Sequence, residues 1–232
     1  MNKKTIYKNI GLINYKKAWD YQEELFDEVV AIKEQNRRTD HKLLTPNYLL
    51  FCEHPHVYTI GKSGKEDNLL MSEEFLKSKR ASLIKINRGG DITYHGPGQI
   101  VGYPILDLDN FGVSIKDYIY QLEDVLIRTL KHYDIVASRV SGATGVWLDA
   151  GHPQNERKIC AIGVRTSHWV SMHGFAFNVN TDLDYFGYIV PCGIQGKTVT
   201  SLKQELGNHI DIQQVQNILK QEFQSVFGME FL

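Results

Sequence analysis

The chain has 232 residues, 42% hydrophobic and 23% charged, which supplies a real core for one large domain or two small ones. Its 26 basic and 27 acidic residues give a net charge of -1, which disfavours a polyanion such as nucleic acid as the main partner. The opening MNKKTIYKNIGLINY lacks the apolar run of a signal peptide, no stretch approaches the ~20 apolar residues of a membrane span, and three widely spaced cysteines make no disulfide framework. The expectation is a reduced, cytoplasmic, soluble protein with no membrane partner.

From Tyr15 to Gln35, Ala18, Trp19, Leu25, Phe26, Val29 and Ile32 recur mostly three or four apart, which predicts an amphipathic helix. Residues Asn36 to Pro46 read as a surface loop. Tyr48 to Cys52 is a short apolar run, a buried strand, and Val57 to Gly61 resumes strand-like composition after His54-Pro55-His56. Cys52, His54 and His56 alternate as metal ligands on one strand face would, but no second ligand cluster follows; a buried cysteine and two loop histidines are the reading kept, with no metal. Gly61 to Lys65 lacks the spacing of a phosphate loop.

Met71 to Arg80 predicts a short helix with Ser72 as N-cap. Leu83 to Ile86 and Ile100 to Leu108 read as strands on either side of a glycine-rich stretch, and Ser114 to Tyr133 as a second amphipathic helix. Ile135 to Val140 and Gly145 to Leu148 read as strands, followed by a polar loop, Ala150 to Arg157. Lys158 to Val164 and Trp169 to Val179 predict an antiparallel pair, Asp182 to Val199 a loop, and Ser201 to Leu206 and Ile210 to Phe227 closing helices. The sum is a single α/β domain over 1–232, of the α+β type. It has a mixed, largely antiparallel sheet, with helices at both ends of the sequence and one between strands.

The stretch Arg88 to Tyr103, RGGDITYHGPGQIVGY, holds five glycines between two apolar runs. Gly96-Pro97-Gly98 alone reads as a turn, but Arg88-Gly89-Gly90 and the neighbouring Tyr94 and His95 favour a backbone cradle for a ligand. Among the cysteines, Cys52 and Cys160 lie inside apolar runs, whereas Cys192 sits in Pro191-Cys192-Gly193-Ile194, a loop able either to expose a sulfur or to be merely structural. Lys158 heads an apolar strand, where a lysine is either solvated at the strand edge or set beside a thiol to lower its pKa.

Arg88 to Tyr103 resembles the signature of the lipoyl(octanoyl) transferases at every fixed position. The resemblance continues through His54-Pro55, Tyr58 to Gly61, Gly145-Val146-Trp147, Lys158 to Arg165, His173 to Asn180 and Pro191 to Ile194, and is strongest over 48–200. It implies the catalytic-domain fold shared with biotin and lipoate ligases, one mixed sheet flanked by helices. The implied reaction moves an octanoyl group from acyl carrier protein to a lysine of lipoyl domains, those of 2-oxoacid dehydrogenase complexes and the glycine-cleavage carrier protein, without a cofactor. Carried over by position, Cys192 matches the acyl-thioester nucleophile and Lys158 the lysine that tunes it. The acyl-contacting segments match Arg88, Gly89, Gly90, Asp91, Ile92, Thr93, Tyr94 and His95, then Ala161, Ile162 and Gly163, then Gly174, Phe175 and Ala176. An ATP-dependent lipoate or biotin ligase on the same fold, and a non-enzymatic module that only binds lipoyl domains or acyl carrier, are the alternatives.

Overall fold

The structure, a computed structural model, describes residues 1–152, 154–190 and 198–232. It opens on a strand, Lys4–Leu12 (β1), and Asn14 then caps the first helix, Tyr15–Arg38 (α1), by accepting hydrogen bonds from the backbone N–H groups of Lys16 and Lys17. The apolar run forms Asn47–Glu53 (β2), followed by Val57–Ile60 (β3). Ser72 caps the short helix Glu73–Ser78 (α2), and Ser82–Lys85 (β4), Ile92–His95 (β5) and Gln99–Ile105 (β6) follow. Asp107 caps a single turn, Leu108–Phe111 (α3), and Ser114 with Asp117 forms a reciprocal capping box at the head of Ile115–Lys131 (α4). Next come Ala137–Val140 (β7), Ala143–Leu148 (β8), Arg157–Ser167 (β9) and Val170–Asn178 (β10). After a 3-10 turn at Leu183–Tyr188, the described chain ends with Thr198–Val199 (β11), Leu202–Leu206 (α5), Ile212–Phe227 (α6) and Glu230–Phe231 (β12).

The strands form two sheets rather than one. The large sheet runs β12-β1-β2-β6-β10-β9-β8-β7, with β11 added to β9, and the small sheet runs β4-β3-β5. Pairing is antiparallel through the middle of the large sheet, from β2 to β7, and parallel at β12–β1, β1–β2, β11–β9 and β3–β4. The domain is thus mixed and largely antiparallel, as expected. The helices expected at both ends of the sequence are flanked by strands that the sequence reading missed. Both β1 and β12 lie at one border of the sheet and leave most side chains partly or fully exposed, so neither shows the apolar run that marked β2.

Both faces of the large sheet are covered. Leu49 and Phe51 of β2 pack with Leu122, Leu126 and Phe223 beneath α4 and α6, while Tyr48, Leu50 and Cys52 pack with Ala18, Phe26 and Val29 beneath α1. Each such side chain taken out of water contributes about 1.5–3 kcal/mol. The small sheet has its own core, in which Tyr58, Ile60, Ile92 and Tyr94 meet Leu76 and Ile189.

Candidate active site

Residues 88–91 join the two sheets. The N–H groups of Gly61, Lys62 and Ser63 donate to the carbonyls of Asp91, Arg88 and Gly90 at 3.2, 3.0 and 3.2 Å, and Gly89 N–H donates to Val164 O of β9 at 3.0 Å. A Cβ on Gly61 would stand 2.3 Å from the Gly90 carbonyl, and one on Gly163 would stand 3.0 Å from that of Gly89. Gly61 and Gly163 therefore let backbone lie directly on the backbone of Gly89 and Gly90, the stretch expected to form the cradle. Arg88 is buried and its guanidinium donates to Thr59 O at 2.8 Å, Thr59 Oγ1 at 3.0 Å and Gly89 O at 3.0 Å, which pins the stretch to β3.

A cavity of about 390 Å³ opens between this junction and the large sheet. Its lining includes Arg88 to Thr93, His95, Lys158, Ala161 to Gly163 and Gly174 to Ala176, so every described residue of the expected set borders it except Tyr94. Tyr94 is fully buried in the core of the small sheet; its hydroxyl meets His56 Nδ1 at 2.7 Å and its ring stacks on Tyr185 at 5.0 Å. The expectation that Tyr94 walls the acyl group is corrected: the strand turns its ring away. Phe175 has two aspects. Its ring stacks on Phe223 at 6.0 Å in the main core, over Gly102, whose Cβ would lie 2.2 Å from it, so this ring is core as well as cavity border. Ala161 and Ala176 present small side chains to the cavity, whose volume is that of a small-molecule site.

Lys158 reaches the cavity through an irregularity. Val146 pairs with Cys160 but Trp147 pairs with Lys158, so β9 has one residue, Ile159, more than β8 at this point. Such a bulge re-aims a side chain. Cys160 stays in the main core, whereas Lys158 lies along the cavity, its Nζ donating to Thr144 O at 3.2 Å and standing 4.6 Å from the centre of the Trp147 ring. Gly145, at φ +126°, makes this approach possible: a Cβ there would strike Cys160 O at 2.5 Å and crowd Lys158 Cε at 3.4 Å.

A family model described as the lipoyl protein ligase A/B catalytic domain matches residues 14–224. An octanoyltransferase of Christiangramia forsetii is 58% identical over 231 residues, covering 99% of this chain and 98% of that one. The chain belongs to the lipoyl protein ligase A/B catalytic-domain family. The resemblance read from Arg88 to Tyr103 is thereby borne out. The fold agrees: a bipartite lipoate protein ligase of Thermoplasma acidophilum superposes with a TM-score of 0.71 at 16% identity, over 100% of this chain and 86% of that one. A biotin protein ligase of Aquifex aeolicus, solved with biotin and ATP, superposes at 0.52 with 12% identity, over 98% of this chain and 71% of that one.

In this member of the lipoyl protein ligase A/B family the cavity also has a polar border that the sequence reading did not assign. His95 Nδ1 donates to Gln99 Oε1 at 2.8 Å, Gln99 Nε2 to Asn178 Oδ1 at 2.9 Å, and Asn178 Nδ2 to Thr200 O at 3.0 Å. Burial, with His54 nearby, holds His95 well below the usual imidazole range, so it is neutral at pH 7 and acts as an orienting donor. His54 donates Nδ1–H to Ile13 O at 2.8 Å and accepts from Tyr103 at 2.7 Å, and burial lowers its pKa to about 4. His56, on the far side against Tyr94 and Tyr185, takes no part in that pairing. The clue to Asn178 was its period: on β10 it follows Gly174 and Ala176 at two-residue steps, hence on their face.

Cys192 lies outside the described residues. The chain on its near side is fixed where Val190 N–H donates to Asn68 O at 2.8 Å, and Asn68 in turn donates to the Asp91 carboxylate at 2.6 Å. On the far side Thr198 and Val199 pair with Arg157 and Lys158, and Thr200 N–H donates to Lys158 O at 2.9 Å. Of the other two cysteines, Cys52 and Cys160 are wholly buried, and burial pushes both thiols far up.

Proposed function

We propose that the chain transfers an octanoyl group from octanoyl-acyl carrier protein to a lysine of lipoyl domains, through an acyl thioester on Cys192. Full-length identity to octanoyltransferases supports the activity. The observation that carries the mechanism is the bulge at Ile159, which delivers Lys158 to the cavity beside the strand that follows the Cys192 segment. The buried, protonated thiols of Cys52 and Cys160 leave Cys192 as the cysteine suited to be a nucleophile.

In the first transfer the Lys158 ammonium stabilises the Cys192 thiolate, which attacks the thioester carbonyl. The carbon–sulfur bond to the carrier breaks, and the carrier leaves as a thiol with a proton from the Lys158 ammonium, which is left as the neutral amine. One thioester replaces another, so the intermediate is close in energy to the substrate. In the second transfer the amine of the lipoyl-domain lysine attacks, the bond to Cys192 breaks, and neutral Lys158 takes the amine's proton. The amide product makes this step irreversible. Burying the tail, at about 0.8 kcal/mol per methylene, supplies on the order of 5 kcal/mol of binding.

The fold is shared with ligases that use ATP, so the donor must be tested directly. With octanoyl-acyl carrier protein and an unmodified lipoyl domain, octanoylated domain forms without ATP. Product from free octanoate and ATP with no carrier would overturn the reading.

A further inference from the structure

We propose that Asn178 is a catalytic residue, whose second amide N–H donates to the substrate's carbonyl oxygen as it becomes an oxyanion; this rests on the acyl-transfer reading above. A side-chain amide has two N–H donors. One on Asn178 is taken by Thr200 O at 3.0 Å; among the described residues the other has no partner. Asn178 is 4% exposed and borders the cavity, where a buried donor gains most by finding an acceptor.

The polarity of this amide is fixed from a distance. Gln99 Nε2 donates to Tyr94 O at 3.2 Å and to Asn178 Oδ1 at 2.9 Å, so Gln99 Oε1 must accept from His95. Asn178 Oδ1 is thereby held on the Gln99 side and Nδ2 on the side of Thr200. Thr200 N–H bonds Lys158 O at 2.9 Å, so the residue that holds Nδ2 is itself tied to the strand that carries the site's cation. A donor held before the reaction, in a buried site whose walls are in larger part apolar, costs no reorganisation when charge develops. The relay His95–Gln99–Asn178 thus gives His95 a positioning role and leaves Asn178 to touch the reacting atom.

The experiment measures octanoyl transfer and the affinity for octanal, whose hemithioacetal with Cys192 places an oxygen where the oxyanion forms. Asn178→Ala is expected to lower kcat by about 10²–10³ with little change in KM for octanoyl-acyl carrier protein. Octanal affinity should fall by a similar factor, and Gln99→Met, which leaves Asn178 in place but unsecured, should give a smaller loss of the same kind. If Asn178→Ala does not fold, Asn178→Ser is read by the same two measures. A change in KM alone, or a loss of kcat with octanal affinity intact, would overturn the proposal. A wild-type protein that gains no octanoyl adduct would instead overturn the acyl-transfer reading.

Discussion

Lys158 Nζ donates to the Thr144 carbonyl at 3.2 Å, a contact between neighbouring strands that exists because Ile159 is an extra residue in β9. On the proposed mechanism Lys158 lowers the pKa of the Cys192 thiol. A shift from ~8.5 to ~7 raises the thiolate at pH 7 from about 3% to half. Lys158→Ala should therefore slow formation of the acyl-enzyme roughly 15-fold at pH 7 and recover most of that rate near pH 9. Single-turnover acylation against pH checks this; an unchanged profile would remove Lys158 from the first step.

The buried histidines make the fold acid-sensitive. Burial lowers His54 to about 4 and His173 to about 3, while in the unfolded chain both titrate at their ordinary value. Below pH ~6.5 the unfolded state binds protons that the folded state refuses, so stability falls as pH falls towards the folded values. At pH 5 each histidine costs about 2 kcal/mol relative to pH 7. Urea unfolding at the two pH values measures the loss, and His54→Gln should make it smaller. Equal stability at both would contradict the assignment of neutral, buried imidazoles.

Tyr94→Phe separates a core residue from a substrate contact. It removes the hydroxyl from His56 Nδ1 while keeping the ring on Tyr185. The expected loss is about 1 kcal/mol of stability, with KM for octanoyl-acyl carrier protein unchanged. A raised KM at unaltered stability would return Tyr94 to the cavity wall.

Gly102 makes room for the Phe175 ring, and a Cβ there would lie 2.2 Å from it. Gly102→Ala should cost about 1–3 kcal/mol by overpacking, seen as a fall of several degrees in the thermal midpoint. A midpoint equal to the wild type would show that the ring has somewhere else to go.

What the sequence made legible was what local pattern controls. The stripe at Ala18, Phe26 and Val29 marked α1, and the doubly buried β2 announced itself as an unbroken apolar run. Ser72 stood where a cap belongs. The border strands β1 and β12 were missed because their parallel pairing joins residues far apart in sequence and buries few side chains. The bulge was equally hidden: strict alternation puts Lys158 on the face of Cys160, and only the pairing with β8 separates them. Tyr94 was misplaced for a similar reason, since composition gathers it with His95 while adjacent residues of a strand face opposite ways. Gln99 and Asn178 lay in plain view within the matching blocks, and only their hydrogen bonds give them a task.

The central claim is that octanoate rides on Cys192. Intact-mass spectrometry after mixing the protein with octanoyl-acyl carrier protein tests it directly. The account predicts a gain of one octanoyl group on the wild type and on Cys52→Ser, and none on Cys192→Ala. An unmodified wild type, or an adduct that survives Cys192→Ala, would contradict it.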